Sequence, residues 1–391
     1  MSVSREKKIL YIQYSNPGAY PPVQHGARIL ASAGAKVLLL GIVTAGTEAL
    51  RFPTHKNIQV REMKFCAPGI RQKIHYLLFC LWAVWTALSW RPKWLYASDV
   101  LASPIAWFLT FWPMFNVIYH EHDTPAEVNP DASVTTLFMR AILWTRRHFA
   151  RRANFCVLPN EKRIRVFKRQ TQTKRPLYCV WNCPSQFEAK AILPQLRSKD
   201  LRVFYHGSIV PDRLSLNVVH ALAELPYAVS LEFAGYETIG HKGYIREILA
   251  EAEKVGVSSR VRHIGTLPQR AELLARCSQA HVGLALLPID SQDLSMATMV
   301  GASNKPFDYL LCGLALLVSN LPDWNEVFVQ SHFGLACDPR DPASIAGALR
   351  WFLDHPEERK QMGTTGRQRI LTDWNYETQF APVMKRILGS V

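Results

Sequence analysis

The stretch from Val282 to Asn320 constrains the fold more than any other part of the chain. It opens on an apolar run, Val282-Gly283-Leu284-Ala285-Leu286-Leu287-Pro288, passes through a polar loop, and resumes as Asn304-Lys305-Pro306-Phe307-Asp308-Tyr309-Leu310-Leu311-Cys312-Gly313. A second apolar run, Leu314 to Ser319, follows at once. Strands that read as uninterrupted apolar runs are covered on both faces, which is the condition of a parallel sheet. The helix between them opens on Asn304, a capping-type residue, with Pro306 in its first turn and Gly313 before the next strand. The segment is therefore a βαβ unit, and ligands of such sheets bind at the C-terminal ends of the strands.

On this helix Asn304 and Asp308 are spaced i, i+4 and share a face, while Lys305 sits in the first turn, where backbone N–H groups lack helical partners. A cation, free amides and an acceptor-only carboxylate suit a nucleotide diphosphate. Lys305 and the helix N-terminus would hold phosphate, and Asp308 would take the ribose hydroxyls. An ordinary cap with a surface aspartate is the competing reading. Earlier in the same half, a strand Arg202 to His206 runs into Gly207-Ser208-Ile209-Val210-Pro211-Asp212-Arg213. Gly207 would let a phosphate approach the backbone and Arg213 could take two of its oxygens at once.

The first half also opens as βαβ: a strand from Lys8 to Tyr14, a loop over Asn16 to Pro22, a helix from about His25 to Ala33 and a strand from Lys36 to Gly41. It holds no G-x-G-x-x-G, which argues against a nicotinamide-type site. A short strand ends at Asp99, and the next, Asn116 to Tyr119, ends in His120-Glu121-His122-Asp123. Titratable residues at a strand tip read as a site. If the strand persisted, His120 and His122 would share one face and Glu121 and Asp123 the other. Two histidines without a third ligand nearby make a poor metal site, and histidines hydrogen-bonded at a domain rim remain an alternative. Asn182-Cys183-Pro184 marks a linker, so the boundary falls near residue 184.

The run Ser303 to Ser319 resembles the donor-nucleotide segment of family 4 retaining glycosyltransferases, which read approximately P-N-K-x-F-E-Y-x-A-x-G-x-P-V-V-A-S. Tyr119-His120-Glu121-His122-Asp123 is similar to that family's Y-D-x-H-D, Tyr205-His206-Gly207 through Arg213 to its Y-H-G-x-L-x-x-x-R diphosphate loop, and Gly34-Ala35-Lys36-Val37 stands where its first domain reads G-H-x-V. The resemblance covers nearly the whole chain. It implies an α/β protein of GT-B fold, two facing Rossmann-like domains with parallel sheets. Residues 1–184 would bind the acceptor and 185–373 the nucleotide-sugar donor, with a helix over 374–391 crossing back to the first domain. It implies His122 and Asp123 as catalytic residues, with Gly207, Arg213, Asn304, Lys305 and Asp308 on the donor and Asp99 and His120 in the acceptor cleft. Transfer with retention through a same-face, oxocarbenium-like displacement follows from the same likeness. The chain departs from the pattern at Asp308, where the family has Glu, and at Val300, where a second Glu often stands. A nucleotide-sugar epimerase on the same architecture is a second reading. A non-catalytic basic adaptor for membranes or polyanions is a third, and Val300 is the feature that favours it.

No Asp-x-Asp occurs, so Lys305, Arg213 and helix N-termini would neutralise the departing diphosphate without a metal, and no cofactor is implied beyond the donor substrate. Eight scattered cysteines without a CxxC pair fit reduced thiols in a cytoplasmic protein, and Met1 to Lys8 is too polar for a secretory signal. From Arg140 to Arg175 twelve Lys and Arg face one acid, Glu161, an excess suited to the anionic inner face of a membrane. Nucleic acid fits less well, since aromatic residues do not alternate with these charges. The acceptor would then be a lipid-linked sugar or a growing polysaccharide. Two uncharged runs, Ile74 to Trp90 and Val100 to Tyr119, read as core or membrane-surface helices, the second dividing into a helix ending near Trp112 and a strand.

Overall fold

Strands form where the chain is apolar without interruption. The computed structural model describes residues 7–125, 135–192 and 199–389. Among these, thirteen strands make two wholly parallel sheets. The chain divides into a unit of 1–182 with 376–391 and a unit of 183–375.

The first unit carries β1 (Lys8–Ile12), β2 (Lys36–Ile42), β3 (Ile58–Met63), β4 (Trp94–Ser98), β5 (Asn116–His120), β6 (Phe155–Leu158) and β7 (Leu177–Cys179), in the order β3-β2-β1-β4-β5-β6-β7. Side chains alternate across this sheet with period two. Leu10, Ile12, Leu95, Ala97, Val117 and Tyr119 pack on one side with the helices Ile70–Trp90, Ser103–Leu109 and Thr135–Arg152. Ile9, Tyr11, Trp94, Tyr96 and Ile118 pack on the other with the helices Pro21–Ser32 and Tyr376–Leu388. The last helix is tied in by Trp94 Nε1, which donates to the Ile387 carbonyl at 3.0 Å.

The second unit carries β8 (Leu201–Ile209), β9 (Val229–Glu237), β10 (Val261–His263), β11 (Val282–Ala285), β12 (Ala315–Ser319) and β13 (Gly334–Cys337), in the order β10-β9-β8-β11-β12-β13. In both sheets the order reverses beside the first strand of the unit, between β1 and β4 and between β8 and β11. Such switch points leave a crevice at the strand C-termini.

Several elements differ from the sequence reading. The first helix begins at Pro21, because two prolines occupy positions whose N–H groups need no helical partner. The helix expected to end near Trp112 spans only Ser103–Leu109. Strand β3 went unread because its edge position leaves Gln59, Arg61 and Glu62 exposed and dilutes the apolar signal. Ser303, not Asn304, is the N-cap of the helix Asn304–Leu311, which places Asn304 in the first helical turn.

Candidate functional site

The switch point of the second unit gathers cations. β8 carries Tyr205, His206 and Gly207 in its C-terminal half, and Lys305 at the start of the helix Asn304–Leu311 lies beside Gly207. Gly207 has φ +111, and a Cβ there would meet Lys305 Cε at 3.1 Å and Nζ at 3.2 Å. Its neighbour Gly235 packs tighter still, since a Cβ at that position would lie 1.8 Å from the Gly207 carbonyl oxygen. Glycine at both positions lets two strand tips and the lysine stem converge.

Lys305 Nζ lies 5.4 Å from the centre of the Tyr205 ring, and among the described residues no carboxylate is within ion-pair distance of it. Burial of the ammonium, then the neighbouring charge of Arg213, push its pKa well below the ordinary lysine value, against a smaller pull from Asp308. Arg213 is held by Ser208, whose Oγ accepts from Nη1 at 3.0 Å, and it too forms no ion pair among the described residues. His206 is buried, with its pKa driven well down by desolvation, then by Lys305 and Arg270. Its Nε2 lies 3.5 Å from Asp308 Oδ2 without a hydrogen bond.

Asp308 does not present its carboxylate to a ribose, as the sequence suggested. It has zero exposure, and both oxygens accept from Arg270: Nη1 donates to Oδ2 at 3.0 Å and Nη2 to Oδ1. Arg270 also reaches Glu188, with Nη2 donating to Oε2 at 3.2 Å, and its own pKa is raised by these two carboxylates despite burial. Asp308 is thus the anchor of an arginine. Neither Arg270 nor Glu188 was picked out from sequence. A signal existed: Arg270 is the first residue of the helix Arg270–Cys277, where the helix dipole disfavours a cation unless carboxylates compensate.

In the first unit the switch point is polar and nearly dry. His120 is fully buried and its Nδ1 is 2.7 Å from Tyr96 Oη. β5 stops at His120, yet the His122 ring still lies 3.9 Å from the His120 ring, so the two histidines do share a face. His122 Nε2 is 3.0 Å from Ser98 Oγ. Burial lowers the His122 pKa to about 4, with Asp123 opposing and Arg163 reinforcing the shift, so the ring is neutral near pH 7. His120 is lowered well below its usual value by burial and by His122.

Asp99 adopts φ +66, donates its N–H to the His120 carbonyl at 2.8 Å, and accepts the His122 N–H on Oδ1 at 2.9 Å. Its carboxyl is pushed up to about 8, first by burial and then by Asp123. Asp123 is largely exposed, 3.6 Å from Arg163 Nη1. Glu121 points elsewhere: Arg146 Nη2 donates to its Oε1 at 2.7 Å and Tyr119 Oη to its Oε2 at 2.6 Å. Gln13, missed in the sequence, is buried level with Ser98 just past the Ile12–Ala97 pair, and among the described residues neither end of its amide has a protein partner. Nor do His120 Nε2 and His122 Nδ1. Buried amide and imidazole atoms left open at a strand tip suit hydroxyl groups of a ligand.

Two of the twelve basic residues of 140–175 are internal, which corrects the picture of one solvated patch. Arg146 is committed to Glu121, and Arg163 is buried against the His122 carbonyl and Asp123. Among the described residues, no three His, Cys, Asp or Glu side chains are grouped to hold a metal ion.

Residues 214–385 match a family model described as "Glycosyl transferase-like". A glycogen synthase of Mycobacterium tuberculosis is 28% identical over 159 residues, which are 40% of this chain and only 36% of the synthase. Among solved structures, sucrose-phosphate synthase from Thermosynechococcus elongatus has a TM-score of 0.71 at 16% identity, covering 99% of this chain and 100% of that one. The Anabaena protein HepE in complex with UDP and glucose has a TM-score of 0.70 at 14% identity, covering 98% and 100%. Likeness of this kind carries the fold.

Proposed function

We propose that the chain is a GT4-like glycosyltransferase of two-domain GT-B fold that moves a sugar from a nucleotide-diphosphate donor to a lipid-linked or polysaccharide acceptor, with retention. The observation that carries the reading is the convergence of two cations, Lys305 and Arg213, that form no ion pair among the described residues, on Gly207 and Ser208 of β8. Half-buried positive charge beside a helix N-terminus and a close-approach glycine is a site for a diphosphate. Structures of HepE hold UDP and UDP-glucose, which makes a uridine donor the first to test.

In the transfer the bond from C1 of the sugar to the diphosphate oxygen breaks and a bond from C1 to an acceptor oxygen forms on the same face. The acceptor's hydroxyl proton passes to the departing diphosphate. Lys305 and Arg213 stabilise the charge that grows on that leaving group, the role a divalent ion would otherwise have, so transfer does not need a metal. Asp308 holds Arg270 in place and acts as a positioning residue. The first unit supplies the acceptor side: Gln13, His120 and His122 offer open polar atoms for hydroxyls, and His122, neutral at working pH, acts through hydrogen bonds and not as a cation. Exposed basic residues such as Arg147, Arg152, Lys162 and Lys168 favour work at an anionic, cytoplasmic membrane face.

Thermal unfolding with a panel of nucleotide sugars tests the reading. One donor should stabilise the fold by the ~2.7 kcal/mol expected at a hundredfold excess over Kd, read as a raised melting temperature, and Lys305→Met should abolish the effect. A panel in which no donor protects would overturn it. Transfer should continue in excess EDTA, and loss of activity restored by manganese would overturn the metal-free route. The adaptor reading draws on Val300 and predicts protection without any transfer.

A further inference from the structure

The helix Ile70–Trp90 is apolar on two opposite faces. Tyr76, Phe79, Ala83 and Ala87 are buried on the sheet side. Ile74, Leu77, Leu78, Leu81, Trp85 and Leu88 recur at the three- and four-residue spacing of a single stripe on the other side, with Leu81 59% and Trp85 70% exposed. A helix of a water-facing surface carries polar residues there, and a stripe of this length marks an interaction site. The helices Ser103–Leu109 and Thr135–Arg152 belong to the same core layer, and they or the turn after them expose Phe108, Phe111 and Trp144.

Charge identifies the occupant. No Asp or Glu occurs between Met63 and Ser98, or between Thr135 and Asn160, while Lys64, Arg71, Lys73, Arg91 and Lys93 flank the stripe. A second copy of this chain would bring the same positive rim against itself. Trp85 and Trp144 are exposed on this layer, and tryptophan prefers the headgroup level of a bilayer. Among the described residues no helix is long and apolar enough to cross a membrane, so this helix lies on its partner. We propose that the outward face of the helix Ile70–Trp90 docks on an anionic lipid bilayer, with its apolar side chains inserted among the acyl chains and the surrounding Lys and Arg on lipid phosphates. The docking helix is a different element from the basic 140–175 segment, whose helix Thr135–Arg152 only adds to its rim, and the proposal rests on this surface and not on the transferase reading.

The test is co-sedimentation with vesicles of phosphatidylcholine, alone or mixed with phosphatidylglycerol, for the full chain and for Leu77→Ser/Leu81→Ser/Trp85→Ser. The protein should bind the anionic vesicles, retain part of that binding in high salt, and have its tryptophan fluorescence quenched by brominated lipid. The triple variant should lose roughly 10²-fold or more in partitioning, from the apolar area no longer buried, while keeping its thermal transition and its response to nucleotide sugars. Wild-type partitioning in the variant, complete release by salt, or a dimer in solution that the variant dissolves would each overturn the proposal. If the variant does not melt cooperatively, brominated-lipid quenching of the unaltered protein decides, and its absence overturns the proposal.

Discussion

Replacing Asp308 by Asn removes one charge from a buried cluster and leaves its shape. In the structure Arg270 gives two hydrogen bonds to this carboxylate, one of 3.0 Å, at zero exposure. Hydrogen bonds to charged groups are worth ~1.5–3 kcal/mol each, so the pair amounts to ~3–6 kcal/mol. Removing one partner of a buried ion pair costs ~3–5 kcal/mol, chiefly because the other charge stays buried. Glu188 still holds Arg270 in the variant, which places the expected loss near the lower limit, ~3 kcal/mol. Urea unfolding followed through Trp374, which packs on Phe307 and Phe328, reports on this unit. The double change Arg270→Met/Asp308→Leu should cost less than Asp308→Asn alone, since no unpaired guanidinium remains. The reasoning is refuted by an Asp308→Asn protein of unchanged midpoint and weakened nucleotide binding, which would return the carboxylate to the ribose.

His122→Ala should lower turnover by ~10²-fold, the scale of one positioned catalytic group, with donor affinity by calorimetry nearly unchanged; a parallel fall in both would make it a donor-pocket residue. Lys305→Met should weaken nucleotide-diphosphate binding by ~1.5–3 kcal/mol in calorimetry, the worth of a hydrogen bond to a charged group, and unchanged affinity would refute its place on the diphosphate. His122 and Asp99 oppose each other in acid. The histidine's folded value of about 4 lies below its free value, so its stabilising term is present above pH 6.5 and is lost as pH falls toward 4; the carboxyl's folded value of about 8 lies above its free value, so its term is present in acid and is lost as pH rises toward 8. Asp99→Asn, which keeps the acceptor oxygen for His122, should therefore be steeper in its loss of stability between pH 6.5 and 4 than the parent, and equal slopes in pH-dependent melting would refute the pairing.

Much of the fold was legible because several of its strands are apolar throughout. β6 runs from Phe155 to Leu158 with no polar interruption, and Val282 and Ala315 both open buried strands where the text of the chain turns apolar. Where the alternation was half polar, at β3, the strand was missed. The site divides in the same way. Gly207 and Lys305 could be picked out because a glycine at a strand tip and a lysine in a first helical turn have few other uses. Asp308 was misjudged because spacing along a helix tells which face a carboxylate shares and not what stands opposite. Its partner Arg270 is thirty-eight residues away, on an element that only folding brings alongside. Gln13 carried no local signal at all: its meaning lies in being level with Ser98 across a parallel pair.

The helix Tyr376–Leu388 belongs to the first unit although the whole of the second precedes it along the chain. During synthesis this orders events. Residues 183–375 form a contiguous stretch and can fold as soon as they leave the ribosome, whereas one face of the β1 sheet waits for Phe380, Val383 and Ile387. At the usual ~5–20 residues per second that delay is on the order of 10–40 s. Through it the apolar surface around Tyr11, Ala27 and Leu30 lacks its covering helix. A substitution at Phe380 would accordingly act on yield before it acted on the stability of molecules that had already folded.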